Sequence, residues 1–149
     1  MTNDELFEEV KAKVASYDFP LPTSKLFIDL DHSDQLKYNE LLSGLDIGSP
    51  LLFYLQKDKG WVTIGTKRIA IHDGLKTDTV ELDKVVSIKP DADEKAKRRN
   101  EFEDYKFELS NWLLVDPNGN EYKIRIEKGK TYYSFYHVLQ KILRLKGIW

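Results

Sequence analysis

The segment that decides the fold reads Trp61-Val-Thr-Ile-Gly-Thr-Lys-Arg-Ile-Ala-Ile-His-Asp-Gly74. Apolar and polar residues alternate on both sides of Gly65, and Asp73-Gly74 is a strong turn signal, so this segment predicts two short neighbouring strands. The same alternation continues in both directions along the chain. It predicts five strands, over residues 51–56, 61–64, 67–72, 79–82 and 85–89.

Two further strands and a helix extend this pattern to the C-terminus. Residues 105–115 and 121–127 have strand composition, and the turn Asp116-Pro-Asn-Gly-Asn120 separates them. Thr131 is placed to cap a final helix, whose apolar residues recur at helical spacing: Phe135, Val138, Leu139, Ile142 and Leu145. Seven short strands joined by tight turns predict a mainly β fold, an antiparallel barrel or an orthogonal sandwich, with the C-terminal α-helix over one opening.

The N-terminal third differs in both period and charge. It predicts helices over residues 3–16 and 34–43 and a short strand over 25–30, with Ser33 as the N-cap of the second helix. That helix is expected to bury Leu36, Leu41, Leu42 and Leu45. Residues 1–50 hold four bases and ten acids, net −6, whereas residues 51–149 have a net charge of +4. We therefore divide the chain into an acidic helical extension, residues 1–46, and a β domain, residues 47–149.

The composition argues against several classes of catalytic and cofactor site. The chain has no Cys, which excludes thiolate nucleophiles, disulfides and iron–sulfur clusters. It has neither a Gly-x-Ser-x-Gly nucleophile elbow nor a glycine-rich phosphate loop, and its three His are scattered. The densest set of potential metal ligands, Asp29-Leu-Asp-His-Ser-Asp34, fits the acidic start of a helix better than a metal site. We predict that the protein is not an enzyme and uses no metal or cofactor.

Localisation and nucleic-acid binding follow from charge and hydropathy. The N-terminus is acidic and no apolar run approaches about 20 residues, so neither a secretory signal nor a membrane span is expected and the cytoplasm is the predicted location. Residues 91–104 contain six acids and four bases, and predict a solvated loop or a short exposed helix. Because acids outnumber bases in this segment, no nucleic-acid partner is expected.

Three segments of the β domain carry a shared pattern. Trp61-Val-Thr-Ile-Gly-Thr-Lys-Arg-Ile-Ala-Ile71 consists of a strand, a Thr-x-Arg turn and an apolar strand. Glu81-Leu-Asp-Lys-Val-Val-Ser-Ile88 fits a Leu-x-x-Ile-x-x-Ile pattern, and an amphipathic helix ends the chain. In these features the chain resembles bacterial pleckstrin-homology-like (PH-like) domains of the GRAM type over about residues 50–146. The resemblance implies a PH-like fold and a non-catalytic binding module.

Two groups of side chains are candidates for a binding surface. They are four basic residues of the first strands and turns and three tyrosines of the last helix: Lys57, Lys59, Lys67, Arg68, Tyr132, Tyr133 and Tyr136. The basic residues fall at opposite ends of one predicted strand, which argues against a single pocket. The tyrosines line one side of the helix, where they either seal the barrel or form a groove for a partner.

Three functions remain open at the level of sequence. The first is a cytoplasmic protein–protein interaction or scaffold module, which the missing catalytic groups favour. The second is peripheral binding to anionic lipid through the basic residues, each of which adds about 1 kcal/mol near such a membrane surface. The third is a small inhibitor or immunity-type protein. Exposed strand edges also allow two copies of the chain to pair as a homo-oligomer.

Overall fold

The chain folds into two antiparallel sheets and four helices within the residues described, 1–56 and 59–149, of a computed structural model. The strands are β1 (Ser24–Leu26), β2 (Pro50–Leu55), β3 (Trp61–Gly65), β4 (Arg68–His72), β5 (Thr77–Glu81), β6 (Ser87–Pro90), β7 (Asn111–Val115) and β8 (Glu121–Arg125). The helices are α1 (Asn3–Ala15), α2 (His32–Leu42), α3 (Ala92–Glu101) and α4 (Lys130–Leu145). One sheet has the order β1-β2-β3-β4-β5, and the other has the order β6-β7-β8.

The predicted mainly β fold is confirmed, and of its two predicted forms, a barrel or an orthogonal sandwich, the barrel is not formed. Among the described residues, no strand of one sheet pairs with a strand of the other, and the arrangement is sandwich-like. The five-stranded sheet gains a short edge strand, β1, in which Ser24 pairs with Tyr54 and Leu26 pairs with Leu52. Strand β1 covers the edge of β2 and forms one edge of this sheet, and β5 forms the other.

The strands predicted from alternation correspond to β2 through β8, and most of their ends agree within two residues. The largest difference is at β7, which begins at Asn111 although a strand was predicted from residue 105. Residues 105–108 form a short 3-10 turn instead. The eighth strand, β1, overlaps the short strand predicted over residues 25–30.

The main core lies between the two sheets and helix α4. Helix α4 buries its inner face completely, with Tyr132, Phe135, Val138, Leu139 and Ile142 all inaccessible to solvent. Thr131, predicted to cap this helix, instead lies inside it, and its hydroxyl is 3.2 Å from that of Ser24 in β1. The helix begins after Gly129, whose φ of +89° is a conformation that glycine adopts without strain.

Helix α2 covers the outer face of the five-stranded sheet, where a second cluster contains Tyr38, Phe53 and Trp61. The helix starts two residues earlier than predicted, because Asp31 rather than Ser33 caps it and accepts the Asp34 backbone N–H at 2.9 Å. The predicted buried stripe is wrong at two positions. Leu36 and Leu41 are 59% and 51% exposed, because the contact of Tyr38 with Phe53, 4.2 Å between ring centroids, turns the Tyr38 side of the helix toward the sheet.

The N-terminal extension packs on the β domain. Thr2 and Glu5 form a capping box that starts α1, and Leu6, Val10 and Val14 of this helix belong to the main core. The domain boundary at residue 46 stays a prediction, and both the pairing of β1 and the burial of α1 cross it. None of the described helices is both long enough and apolar enough to cross a membrane.

Truncating Leu6 tests whether α1 is part of the cooperative fold. We expect Leu6→Ala to lower the free energy of unfolding by about 2–5 kcal/mol, because it leaves a cavity in the main core. Urea denaturation followed by circular dichroism measures this change. The matched control is Glu8→Ala on the exposed side of the same helix, with an expected change within about 0.5 kcal/mol. Equal, small losses for both variants would show that α1 folds separately from the sheets.

Candidate functional site

The predicted basic residues do not come together in one place. Lys57 lies outside the described residues, and Lys59 lies two residues before the start of β3. Lys67 and Arg68 lie beyond the other end of β3, a strand of five residues and about 17 Å. Lys67 pairs with Asp46 at 3.5 Å, and Arg68 pairs with Glu81 at 3.0 Å. Their charges are therefore largely balanced within the chain.

A cavity of about 300 Å³ beside Lys67 and Arg68 has no excess of either charge. It lies between the β3–β4 turn, the end of β5 and the C-terminus of α4. The charged residues that line it are three bases and three acids: Lys67, Arg68, Lys146, Asp46, Glu81 and Asp83. Such a balance gives little attraction for an anionic headgroup.

The predicted tyrosines belong to a longer series of rings, which we call the aromatic ladder. Its members, in order of contact, are Tyr17, His137, Tyr136, Trp112, Tyr132 and Tyr133. Neighbouring ring centroids are between 4.3 and 6.1 Å apart, distances at which aromatic pairs attract one another. The closest pair is Trp112 and Tyr132, which stack with an interplanar angle of 8°.

Only part of the aromatic ladder reaches the surface. Trp112 and Tyr132 are buried, so Tyr132 supports the ladder and offers no surface to a partner. Tyr17, Tyr133, Tyr136 and His137 are half-buried. The helical period explains the division, because Tyr132 shares the inner stripe of α4 with Phe135 and Leu139, whereas Tyr133 and Tyr136 lie to one side.

Hydrogen bonds hold the rings of the ladder in place. The Trp112 indole N–H donates to the Tyr132 carbonyl at 2.9 Å, and the Tyr132 hydroxyl donates to the Asn111 carbonyl at 3.2 Å. The Tyr133 hydroxyl donates to the Lys106 carbonyl at 2.6 Å. Burial raises the pKa of Tyr133, which keeps this hydroxyl protonated as a donor. Burial, together with the charge of Lys13, lowers the pKa of His137 and favours its neutral ring.

Three functional candidates lie at the two ends of the aromatic ladder and were not predicted from the sequence. Phe107 is 65% exposed and follows Lys106, to which Tyr133 is bonded. The strand predicted over residues 105–115 includes Phe107, and its sequence gives no sign that this side chain is exposed. Tyr17 and His137 were also missed, since their contact joins residues 120 positions apart and no local pattern contains it.

Charges near Phe107 are arranged around Tyr105. The guanidinium of Arg99 lies 5.1 Å from the centroid of this ring, and its Nη2 is 3.4 Å from the hydroxyl oxygen. This hydrogen bond lowers the pKa of Tyr105, and the positive charges of Lys95 and Lys106 act in the same direction. Positive charge therefore surrounds the ring of Tyr105, in a segment that also contains Glu103, Asp104 and Glu108.

Helix α3, the predicted exposed loop or helix, is attached to the three-stranded sheet by two carboxylates. Glu94 accepts the Ser110 N–H, the Ser110 hydroxyl and the Asn111 N–H at 2.6–2.9 Å. Asp91 caps α3, and its side chain, only 9% exposed, pairs with Lys123 at 3.3 Å. Burial alone would raise the pKa of Asp91, but Lys123 and the neighbouring amides hold this pKa below its ordinary value.

Comparison with known proteins supplies no function. No protein-family model matches the chain, and no curated protein matches it. Within residues 1–56 and 59–149, no three acidic or histidine side chains lie close enough together to hold a metal ion. Function is therefore inferred from the side chains themselves.

Asp91 gives a pH-dependent test of the α3 attachment. Its lowered pKa means that its stabilisation is present above pH 4 and is lost as the pH falls through the pKa of the folded state. We expect Asp91→Asn, which can still cap the helix, to lower the free energy of unfolding by about 1–3 kcal/mol at pH 7.

The difference between the variant and the unmodified chain should shrink as the pH falls from 6 toward 3, as measured by urea denaturation at each pH. Asp93→Asn is the matched control, because this neighbouring side chain is exposed. A loss for Asp91→Asn that is the same at every pH would contradict the assignment.

Proposed function

We propose that this chain is a non-catalytic protein-binding module, and that its docking surface is formed by Phe107 and the exposed edges of Tyr133 and Tyr136. The observation that carries the proposal is that exposed Phe107 lies in the segment bonded to the end of the aromatic ladder. Aromatic side chains dominate the binding energy of protein interfaces, where they act as central anchors.

The aromatic ladder suits this role because its rings are already fixed. Ordering a side chain on binding costs about 0.5–1.5 kcal/mol, and that cost is smaller for a ring that is held before the partner arrives. The hydroxyl of Tyr133 is bonded to Lys106, and the ring of Tyr136 stacks 5.3 Å from that of Trp112. The surface that these rings present is therefore pre-organised.

The charges at the edge of this surface indicate the kind of partner. Arg99, Lys95 and Lys106 lie near the ring of Tyr105, two residues before Phe107, so the proposed partner surface carries acidic groups beside an apolar centre. Charged groups at the rim of an interface mainly affect the rate of association and its dependence on salt. An inhibitor or immunity-type role would be one form of such binding.

The PH-like fold remains part of this proposal. The sequence patterns of the resemblance lie in strands β3 and β4, in the segment that leads into β6, and in α4. Binding to anionic lipid is the weaker alternative, because Lys67 and Arg68 each pair with a carboxylate.

Substituting Phe107 tests the proposed surface. The tagged full-length chain is used to capture proteins from a lysate of its source cells, in parallel with the variants Phe107→Ser and Leu75→Ser. Leu75 is the matched control because it is 95% exposed and lies in the turn between β4 and β5. We expect a protein captured equally by the unmodified chain and Leu75→Ser to be retained at least tenfold less by Phe107→Ser, since an aromatic anchor contributes about 2 kcal/mol or more.

Circular dichroism spectra and melting temperatures verify that all three proteins are folded. Equal capture by all three proteins would contradict the assigned surface. Salt-sensitive flotation with vesicles of anionic phospholipid, unchanged in Phe107→Ser, together with no Phe107-dependent protein capture, would favour the lipid alternative.

A further inference from the structure

The two sheets have four edge strands, β1, β5, β6 and β8, and they differ in how well they are protected. The outer side of an edge strand presents N–H and C=O groups to which another strand can bond. Proteins usually prevent such pairing by shortening the edge strand, covering it, or placing proline or charged residues on it. The state of each edge therefore indicates where a further strand fits.

Three of the four edges are protected. Strand β1 is three residues long, and the backbone of Ser24 already bonds that of Leu21 at 2.8 and 3.4 Å. Strand β6 is four residues long and contains Pro90, which has no N–H to donate. Strand β8 contains two basic residues, and the carbonyl of Arg125 already accepts a hydrogen bond from the Gln56 side chain.

The register of β4 and β5 shows which backbone groups of β5 point outward. In an antiparallel pair, residues that bond the neighbouring strand alternate with residues whose N–H and C=O point away from it. The Leu82 N–H donates to the Lys67 carbonyl at 3.0 Å, so every second residue before Leu82 bonds β4. The residues between them direct their N–H and C=O outward, and these are Thr77, Thr79 and Glu81. We call their outward backbone groups the β5 edge.

The β5 edge is open and its acids are already paired. Within the part of the chain that the structure describes, none of its N–H or C=O groups has a hydrogen-bond partner, and β5 packs extensively against β4 alone. Thr77 is exposed, and the other two edge residues are half-buried. Glu81 pairs with Arg68 at 3.0 Å, and Asp78 pairs with Lys76 at 3.9 Å. The strand therefore presents backbone groups to bond and little unbalanced charge to repel a neighbour.

We propose that the β5 edges of two copies of this chain pair as antiparallel strands, so that two five-stranded sheets become one continuous sheet across a two-fold axis. The pattern of outward groups places this axis at Thr79. Thr79 then lies opposite Thr79 of the second copy, and Thr77 lies opposite Glu81. In this register every N–H and C=O of the β5 edge gains a partner, and two threonines directly opposite each other are a favourable cross-strand pair.

The neighbouring registers are less favourable. With the axis at Asp78, the two Asp78 carboxylates would lie directly opposite each other, which is destabilising. Glu81 would then lie opposite Leu75, beyond the start of β5. With the axis at Val80, Thr77 would lie opposite Asp83, beyond the end of β5. Only the axis at Thr79 uses the whole length of the strand.

Sedimentation equilibrium of the full-length chain at pH 7 tests whether two copies pair. The paired strands are short, so we expect a weak dimer at the small end of the range of interface areas, with a dissociation constant of about 10 µM to 1 mM. The average mass should rise with concentration from that of one chain toward that of two. The mass of a single chain at every concentration up to about 1 mM would overturn the proposal.

Variants at Thr79 test whether the dimer uses this edge. Thr79→Lys places two like charges opposite each other at the axis, and we expect it to weaken the dimer at least about tenfold. Thr79→Ala is the matched control, because it keeps the backbone groups and adds no charge, and it should still dimerise. Circular dichroism verifies that both variants are folded. A folded Thr79→Lys that dimerises like the unmodified chain would overturn the assignment to β5.

The same measurement separates this proposal from the docking surface around Phe107. We expect Phe107→Ser to dimerise like the unmodified chain, because the β5 edge includes no residue of that surface. A chain that stays monomeric, but loses capture of a lysate protein in Thr79→Lys, would assign the β5 edge to a strand of another protein and overturn the pairing of two copies.

Single cysteines test the register, since the chain has no Cys of its own. Opposite residues of a hydrogen-bonded pair have Cα atoms about 5.5 Å apart, a separation that a disulfide spans. We therefore expect Thr79→Cys to form a cross-linked dimer under mild oxidation. Thr77→Cys is the matched control, because the two copies of residue 77 would lie about 14 Å apart along the strands.

The two cysteine variants are compared by non-reducing electrophoresis over time. We expect Thr79→Cys to cross-link at least about tenfold faster than Thr77→Cys, although residue 77 is the more exposed position. Random collision between exposed thiols would give the opposite order. Equal rates, or faster cross-linking of Thr77→Cys, would overturn the proposed register.

Discussion

The burial of helix α4 between the two sheets is the constraint on which the rest of the molecule depends. Its inner stripe, from Tyr132 to Leu143, has no solvent-accessible surface at the main core positions. Once that stripe is inside, the period of the helix places Tyr133, Tyr136 and His137 at the boundary with solvent. The aromatic ladder is thus a consequence of core packing: the same Trp112 that belongs to the core also stacks on the rings that approach the surface.

Local patterns were sufficient to predict most elements but not how they join. Alternation around Gly65 and the turn at Asp73-Gly74 are properties of neighbouring residues, and the strands that they predict are present. The edge strand β1 depends on Ser24–Leu26 reaching β2, a pairing between residues almost thirty positions apart. Three residues in a proline-containing segment carry no periodic signal that could reveal such a partner.

The proposed docking surface also combines features that the local sequence predicts with features that it does not. Periodicity could have placed Tyr132 inside, because it lies three residues before Phe135 and seven before Leu139 on the buried stripe of α4. The exposure of Phe107 could not be read in this way, since it depends on residues 105–108 leaving the strand direction before β7 begins. The pairing of Arg68 with Glu81 is likewise a cross-strand contact between β4 and β5, which the positions of the basic residues alone do not reveal.

Helix α3 shows why a count of charged residues does not predict which of them are engaged by the rest of the chain. No residue of this helix is buried, so apolar packing does not hold it, and its order depends on hydrogen bonds and ion pairs. These contacts lie on different sides of the helix, because Glu94 contacts β7 and Arg99 contacts the ring of Tyr105. On the side that faces β7 the acids Asp91 and Glu94 are engaged by the sheet, and Arg99 lies beside the Tyr105 ring. The aromatic ladder is held by ring packing and by hydrogen bonds between uncharged groups, which salt does not screen, whereas the position of α3 depends on charges that salt screens. On the proposed docking surface, the aromatic rings would therefore set how tightly a partner is held, and the bases beside Tyr105 would affect how fast it arrives.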